Sequence, residues 1–584
     1  MKYSDQIADW LIQLGYTHCF YVGGGNIMHL IESLSKKLTC VPVINEVAAG
    51  IAAEYFNETS IGKKALAMVT AGPGLTNIVT AVAGAYLESR ELLVIGGQVK
   101  TADLARGVLR QRGIQEIDGV SIVQPITVKS VLVDEPISFD AFKSIVLHDG
   151  VYRPGPVFIE IPIDIQARVV EFNNPKTNNL GAELPKISLG DIAGVVNKIN
   201  HAKRPAILLG GGINRRTAKH LKDKLSQLSI PILTTWNAAD RIPFDQHNYM
   251  GRPNTWGQRS ANLVMQQADL LIAVGTRLGM QQTGFNWQNF IPNGYVIQID
   301  IDKAELEKGH PKVDLGLFGD ANQFLEMLLD QKIDDHSEWL TYARSIRNAI
   351  PLVEDVNKTA SGFLSPYHFA KMLSSVCSET DVVIPCSSGG AFTIMMQTFE
   401  QKGDQKIVTN KGLASMGYGL SGAIGAAIAN PNARTVLVEG DGGFSQNLQE
   451  IGTAAINELN LKLFIFDDSG YASIRATQRN YFGGSYVGCD RSTGLGLPNW
   501  EKLFAAWDVP VMRLHKDFTE DDNFRAMFDS DGLAAFIVPV DPEQTYFPKI
   551  TSRITENGSM ESNPLHKMTP DLTQEEYLKV ARYL

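Results

Sequence analysis

A chain of 584 residues is longer than one hydrophobic core serves, so three or four compact units are expected. Its composition, 44% hydrophobic and 20% charged, excludes disordered, fibrous and disulfide-scaffold classes. A net charge of -10 excludes the clustered basic footprint that nucleic acids require and leaves small molecules as the expected partners.

The N-terminal stretch MKYSDQIADWLIQLGY is charged and amphipathic, and no apolar run reaches membrane-spanning length, so neither secretion nor membrane insertion is expected. The cysteines, at Cys19, Cys40, Cys377, Cys386 and Cys489, form no CxxC pair and are odd in number, which points to a reducing, cytoplasmic setting. Short apolar runs at 19–22, 41–44, 65–70, 92–97 and 157–162 alternate with helical stretches and predict a parallel α/β domain over residues 1–172. The Asn-, Pro- and Lys-containing stretch 173–186 predicts a linker. Runs at 205–212, 230–235, 270–277 and 295–302 predict a middle domain over 188–335, closing near Gly319 and Asp320. A charged helical segment at 334–358 leads to a third series at 381–386, 434–443, 462–471 and 534–540, a domain over 362–548. Residues 549–584, rich in Pro, Ser and charge, read as a surface tail. Consecutive α/β units of similar size suggest duplication, so the expected fold is α/β with three doubly wound parallel-sheet domains.

In the third series, Gly440-Asp441-Gly442-Gly443 closes one predicted strand and Asp467-Asp468-Ser469-Gly470-Tyr471 closes another. Ligands of open α/β sheets bind beyond the carboxyl ends of the strands, and neighbouring parallel strands would bring Asp441 and Asp468, 27 positions apart, to one point. Two carboxylates and a free carbonyl suit octahedral Mg²⁺ completed by phosphate oxygens and water. Gly442 and Gly443, without side chains, let backbone amides approach a diphosphate. Gly-Asp-Gly alone is ordinary turn chemistry, as are Ser388, Gly389 and Gly390; the second strand end is what gives the motif weight. Glu46 follows the run 41–44 directly and sits among Val47, Ala48 and Ala49, which predicts a buried carboxyl whose protonated form burial favours.

GDG, then a strand, a helix and a second strand closing on paired polar residues, resembles the thiamine diphosphate motif. One departure stands out: Asp467 and Asp468 occupy the place of the usual Asn pair, so more negative charge is expected at the site. The resemblance covers nearly the whole chain. It is strongest to the acetohydroxyacid synthase group, through GIQEID, GTRLGMQQTG and IDIDKAE. Within that group RGVLRQRGIQEIDGVSIVQPIT and SIRATQRNYFGGSYVGCD resemble the sugar-cluster carboligases of the yersiniose type.

This resemblance implies that Glu46 bonds the aminopyrimidine of thiamine diphosphate and promotes loss of its C2 proton, with Gln115 as a second catalytic residue. It implies cofactor contacts from Gly23, Gly24, Ser388, Gly389, Gly390, Ala414, Met416, Gly440, Asp441, Gly442, Gly443, Asp468, Gly470, Tyr471 and Ala472, and Mg²⁺ on Asp441, Asp468 and Gly470. Met416, otherwise an ordinary core methionine, would wedge the cofactor into a bent shape. Ile114, Ile474 and Thr477 fall in the substrate pocket; Ile114 and Thr477 replace a Phe and a Trp of the group, so an acceptor larger than pyruvate is expected. Arg106, Arg110 and Arg112 read either as receivers of a sugar diphosphate or as a solvated helix face. In the middle domain Gly210, Gly211, Gly212, Arg277, Asp300 and Asp320 match positions around FAD, although such a fold also serves as a vacant scaffold. The implied activity is decarboxylation of a 2-oxo acid such as pyruvate, with transfer of the acyl carbanion to a carbonyl acceptor such as a nucleotide-linked keto sugar. The implied assembly is a homodimer or homotetramer with sites shared between chains. Acetolactate synthase proper, a simple decarboxylase or lyase, and a non-catalytic cofactor-binding protein are the alternatives.

Overall fold

The computed structural model describes residues 1–171, 184–554 and 556–584, so the stretch expected as a linker lies largely outside the described residues. The apolar runs form three six-stranded parallel sheets. The first holds β1 (Tyr16–Tyr21), β2 (Thr39–Pro42), β3 (Lys64–Val69), β4 (Leu92–Gln98), β5 (Lys129–Leu132) and β6 (Pro156–Pro162), in the order β2-β1-β3-β4-β6-β5. The second holds β7 (Pro205–Leu209), β8 (Ile232–Thr234), β9 (Tyr249–Gly251), β10 (Leu270–Val274), β11 (Tyr295–Asp300) and β12 (Leu315–Phe318), in the order β12-β11-β10-β7-β8-β9. The third holds β13 (Val382–Ile384), β14 (Lys406–Ile407), β15 (Thr435–Gly440), β16 (Leu461–Asp467), β17 (Val511–Arg513) and β18 (Ala534–Pro539), in the order β14-β13-β15-β16-β18-β17. Strands β4, β6 and β10 are buried along their whole length, as continuous apolar runs require when helices cover both faces of a sheet. Strands β5, β9, β12, β14 and β17 lie outside the apolar runs read from the sequence; each has two to four residues, too few to show a period.

Position by position, the third sheet repeats the strand order of the first. The middle sheet, read from its β9 edge, has the order of the dinucleotide-binding fold, with its switch point between β7 and β10. The helix after β2 (Glu46–Thr59) and the helix after β14 (Tyr418–Ala429) therefore hold equivalent places, and they pack on each other. Both are rich in Ala and Gly, which lets the backbones approach: a Cβ on Gly425 would strike the Ala52 carbonyl oxygen, and one on Gly422 the Tyr55 ring. Buried Glu54 locks the pair, accepting from Arg90 Nη1 (2.7 Å), Tyr418 Oη (2.9 Å) and Asn410 Nδ2 (3.2 Å).

Residues 549–584 do not behave as the expected surface tail. Ile550, Leu565, Met568, Val580 and Ala581 join Leu271 and Trp339 of the middle domain in one apolar cluster. Arg259 donates to the carbonyls of Met568 (2.9 Å) and Pro570 (2.8 Å). The polar average of this segment conceals its few apolar anchors, and buried anchors decide where a segment packs. Among the described residues no helix is long and apolar enough to cross a membrane.

Candidate active site

The switch point of the third sheet lies between β13 and β15, where ligands of such sheets bind. After β13 the chain turns through Cys386 (φ 40°) and Ser388 into Gly389 (φ 76°), which opens the helix Gly389–Thr398. Gly390 lies under the Tyr546 ring, which leaves no room for a Cβ. At the end of β15, Gly440 has open space around it, and Gly442 sits against the Tyr471 ring. Asp441 is 1% exposed; its Oδ1 accepts from Gly442 N (2.6 Å) and its Oδ2 from Gly470 N (3.1 Å), tying the ends of β15 and β16 together. The Gly470 carbonyl accepts from Ala472 N (3.2 Å), and Tyr471 N donates to Cys489 O (2.8 Å). Burial holds Asp441 well above the ordinary carboxylate range, with Asp468 and then Asp467 pushing the same way. Burial also raises Asp468, opposed by the adjacent Arg475 guanidinium. Acids held this way favour a cation between them.

Asp441, Asp468 and the Gly470 carbonyl supply only oxygen. This fits a small hard cation that keeps phosphate and water in its shell. The expected excess of negative charge is partly offset. Arg475 Nη2 meets Asp468 Oδ1 at 3.1 Å, and Arg513 Nη1 meets Asp467 Oδ2 at 3.0 Å, so each additional carboxylate touches a guanidinium. Arg513 also holds Glu501 (2.9 Å).

Ala414 (φ 55°) and Met416 lie on the loop between β14 and the Tyr418–Ala429 helix, and Met416 is 38% exposed. Ser387 Oγ donates to Ser415 O (2.5 Å) and Asn447 Nδ2 to Gly417 O (2.7 Å), fixing this loop beside the switch point. Glu46 opens the Glu46–Thr59 helix, capped by Asn45, whose side chain accepts from Val47 N (3.0 Å). Its carboxyl, 8% exposed as the apolar surroundings predicted, accepts from Asn77 Nδ2 (2.9 Å). The preceding turn is pinned by Glu450 of the third sheet's domain, which accepts from Ile44 N (3.1 Å) and Asn45 N (3.0 Å). Gly24 packs on Thr70, and Gly23 has open space.

Gln115 (φ 63°) lies against Gly72 (φ 69°), where a Cβ would strike the Gln115 carbonyl. Glu116 shapes its loop by accepting from Arg112 N (2.9 Å) and Gly113 N (2.9 Å). Ile114, Ile474 and Thr477 are exposed. Residues 104–118 contain no helix, so Arg106, Arg110 and Arg112 share no helix face; Arg106 is paired with Asp134 (3.1 Å).

Within one chain the structure gathers Ser388–Gly390, Ala414, Met416, Asp441, Asp468 and Gly470, while the Glu46 carboxyl bonds Asn77 of the first domain. Glu450, Arg475, Arg513 and Glu116 were missed from the sequence. For the two arginines a signal existed: each extra buried acid needs a cation within reach.

A cavity of about 1160 Å³ opens at the switch point of the middle sheet, lined by Gly211, Gly212, Arg277, Asp300, Asp320 and Lys411 among others. Gly210 instead packs against the Gly275 carbonyl. Burial lowers Lys411 to about 8, with Glu88 opposing and Arg277 reinforcing.

Three family models match in succession: the N-terminal thiamine-pyrophosphate-binding domain over residues 1–122, the central domain of thiamine pyrophosphate enzymes over 192–328, and the C-terminal binding domain over 388–538. The probable acetolactate synthase large subunit of Methanocaldococcus jannaschii is 30% identical over 536 residues, covering 88% of each chain. Acetolactate synthase isozyme 1 large subunit of Escherichia coli is 29% identical over 556 residues, 94% of this chain and 95% of the relative. The chain belongs to the thiamine-diphosphate-dependent, acetolactate-synthase-like family. As a member it is a thiamine-diphosphate-dependent carboligase: it decarboxylates a 2-oxo acid and joins the acyl unit to a carbonyl acceptor. The three parallel sheets are the three domains of that family.

Proposed function

We propose that this carboligase takes pyruvate as acyl donor and an acceptor larger than pyruvate, a nucleotide-linked keto sugar among them, at a site built from two chains. What supports the reading is the meeting of Ser388–Gly390, Asp441, Asp468 and Met416 at one switch point, while Glu46, a buried acid of the first domain, bonds Asn77.

In this reading Asp441, Asp468 and the Gly470 carbonyl hold Mg²⁺ on the cofactor diphosphate, while backbone amides at Ser388–Gly390 and Gly440–Gly443 surround it. Thiamine diphosphate supplies the electron sink for decarboxylation. Glu46, delivered by a partner chain, would hold a proton for the aminopyrimidine, and the Asn77 amide orients its carboxyl. Met416 and Ala414 would seat the cofactor, and Gln115 would meet the substrate. Ile114 and Thr477, in place of the group's Phe and Trp, would leave more room for the acceptor, and with Ile474 they are exposed, which supports a bulky acceptor.

FAD is the proposed occupant of the middle cavity, whose volume of about 1160 Å³ lies just above the range of roughly 300–1,000 Å³ usual for ligand pockets and leaves room for a dinucleotide. Arg277 and Lys411 face it with positive charge suited to a diphosphate. Five unpaired thiols suit a reducing, cytoplasmic setting. The active unit is a homodimer or a dimer of dimers.

A second reading, acetolactate synthase proper, is favoured by the names of the relatives. Purified protein with thiamine diphosphate, Mg²⁺ and pyruvate separates the two. Product that forms only with an added keto-sugar nucleotide supports the first, and acetolactate from pyruvate alone supports the second. Absence of decarboxylation with every acceptor contradicts both.

A further inference from the structure

Asp468 and Arg475 are both buried, at 6% and 3% exposure, beside Asp441. Arg475 Nη2 donates to the backbone carbonyl of Asp468 (2.6 Å) and to its carboxylate Oδ1 (3.1 Å). The guanidinium is poorly served in return: Nε and Nη1 are enclosed without an acceptor among the described residues. It also lies in the first turn of the helix Ala472–Tyr481, the end where the helix dipole disfavours a cation. An arginine kept for its own hydrogen bonds would leave neither cost standing. What the position does provide is a positive charge in contact with Asp468, one of the two acids that stand where the family carries amides and the one beside Asp441.

We propose that Asp468 and Arg475 act as one neutral unit in the cation site, Arg475 being a positioning residue that lets a carboxylate stand where the family carries an amide. With the guanidinium counted, Asp441, Asp468 and Arg475 together bear one net negative charge, the charge that Asp441 and an amide would bear. The bond to the Asp468 carbonyl also fixes the start of the 468–471 turn, and with it the direction of the Gly470 carbonyl. Asp467 is neutralised separately, by Arg513, outside this unit. The pair explains why the Asn-to-Asp departure is tolerated: the acid arrives with its own cation.

This inference rests on the reading that Asp441 and Asp468 hold Mg²⁺, and a double-mutant cycle tests it. Thiamine diphosphate binding at fixed Mg²⁺ is measured by calorimetry for wild type, Arg475→Met, Asp468→Asn, the double variant and Arg475→Lys, alongside the melting temperature of each protein before loading. Each neutralising single change should weaken binding by about tenfold or more, the range for partners that orient metal ligands. The double variant and Arg475→Lys should return to within about threefold of wild type, because both restore the charge balance. A single variant that does not fold while the double does is the same result read in stability. Wild-type binding in Arg475→Met, or a double variant as weak as the worse single, overturns the neutral unit. Failure of the wild type to bind thiamine diphosphate in the presence of Mg²⁺ overturns the cation-site reading itself.

Discussion

At the end of β1 in the first sheet stand Gly23 and Gly24, bare backbone, and at the matching end of β13 in the third stand Ser387, Ser388 and Gly389. β3 runs into Thr70 and Ala71, and its counterpart β15 into Asp441; β4 ends at Gln98, and its counterpart β16 is followed by Asp468. The helix after the edge strand opens on Glu46 in the first sheet, while its counterpart in the third is preceded by Met416. One frame thus occurs twice with the polar residues divided: Asp441 and Asp468 at the strand ends of one copy, and in the other the proposed proton carrier Glu46 at the start of a helix. A duplicated fold fixes where a ligand binds but leaves the choice of residues to each copy.

The comparison can be broken at its two chemical ends first. Glu46→Gln keeps the Asn77 bond available but cannot exchange a proton, so turnover should fall by about 10²- to 10⁴-fold with the melting temperature held. Steady-state decarboxylation measures it, and near-normal turnover contradicts the role. Asp441→Ala should weaken thiamine diphosphate binding by about 10- to 100-fold at fixed Mg²⁺, far more than it lowers stability. Equal binding measured by calorimetry removes Asp441 from the cation site.

The two copies should also fail together where they touch. Gly425→Ala places a methyl against the Ala52 backbone, which cannot retreat as a side chain can. Overpacking of this kind costs about 1–3 kcal/mol. Denaturant unfolding should show that loss, and a neutral result would mean the helices are not pressed together.

A smaller effect sharpens the contrast through pH. Burial pushes Glu160 of the first sheet up to about 8, opposed by Gln98 and reinforced by Asp118 and Glu116. Its unfolded value is about 4.3. A carboxyl raised on folding contributes stability that is present at acid pH and lost as pH rises through about 8. Wild type should therefore lose stability from pH 5 to pH 9 faster than Glu160→Gln, by an amount on the order of 1 kcal/mol or more. Parallel pH curves for the two proteins contradict this.

Much of this division was legible in the sequence. Apolar runs marked the long buried strands because helices cover both faces of the sheets, and Asp441 and Asp468 were paired correctly because both close such runs. Strand order was not legible, since nothing local says that β13 lies between β14 and β15. Glu450 was missed because it acts on Ile44, 406 positions away. The segment 549–584 was misjudged on average polarity, although Leu565 and Met568 are 1% exposed. The charge at Asp467 and Asp468 was overestimated because charge was counted along the chain, where Arg475 and Arg513 are not yet neighbours.

The central claim is that a working site takes Glu46 from one chain and Asp441 from another. It is tested most directly by mixing two inactive proteins, Glu46→Gln and Asp441→Ala, under conditions where subunit exchange is verified by mass labelling. Each mixed dimer would hold one intact site and one doubly damaged site, so decarboxylation should reappear as exchange proceeds. No recovery despite proven exchange, or full activity in a monomer, contradicts the shared site.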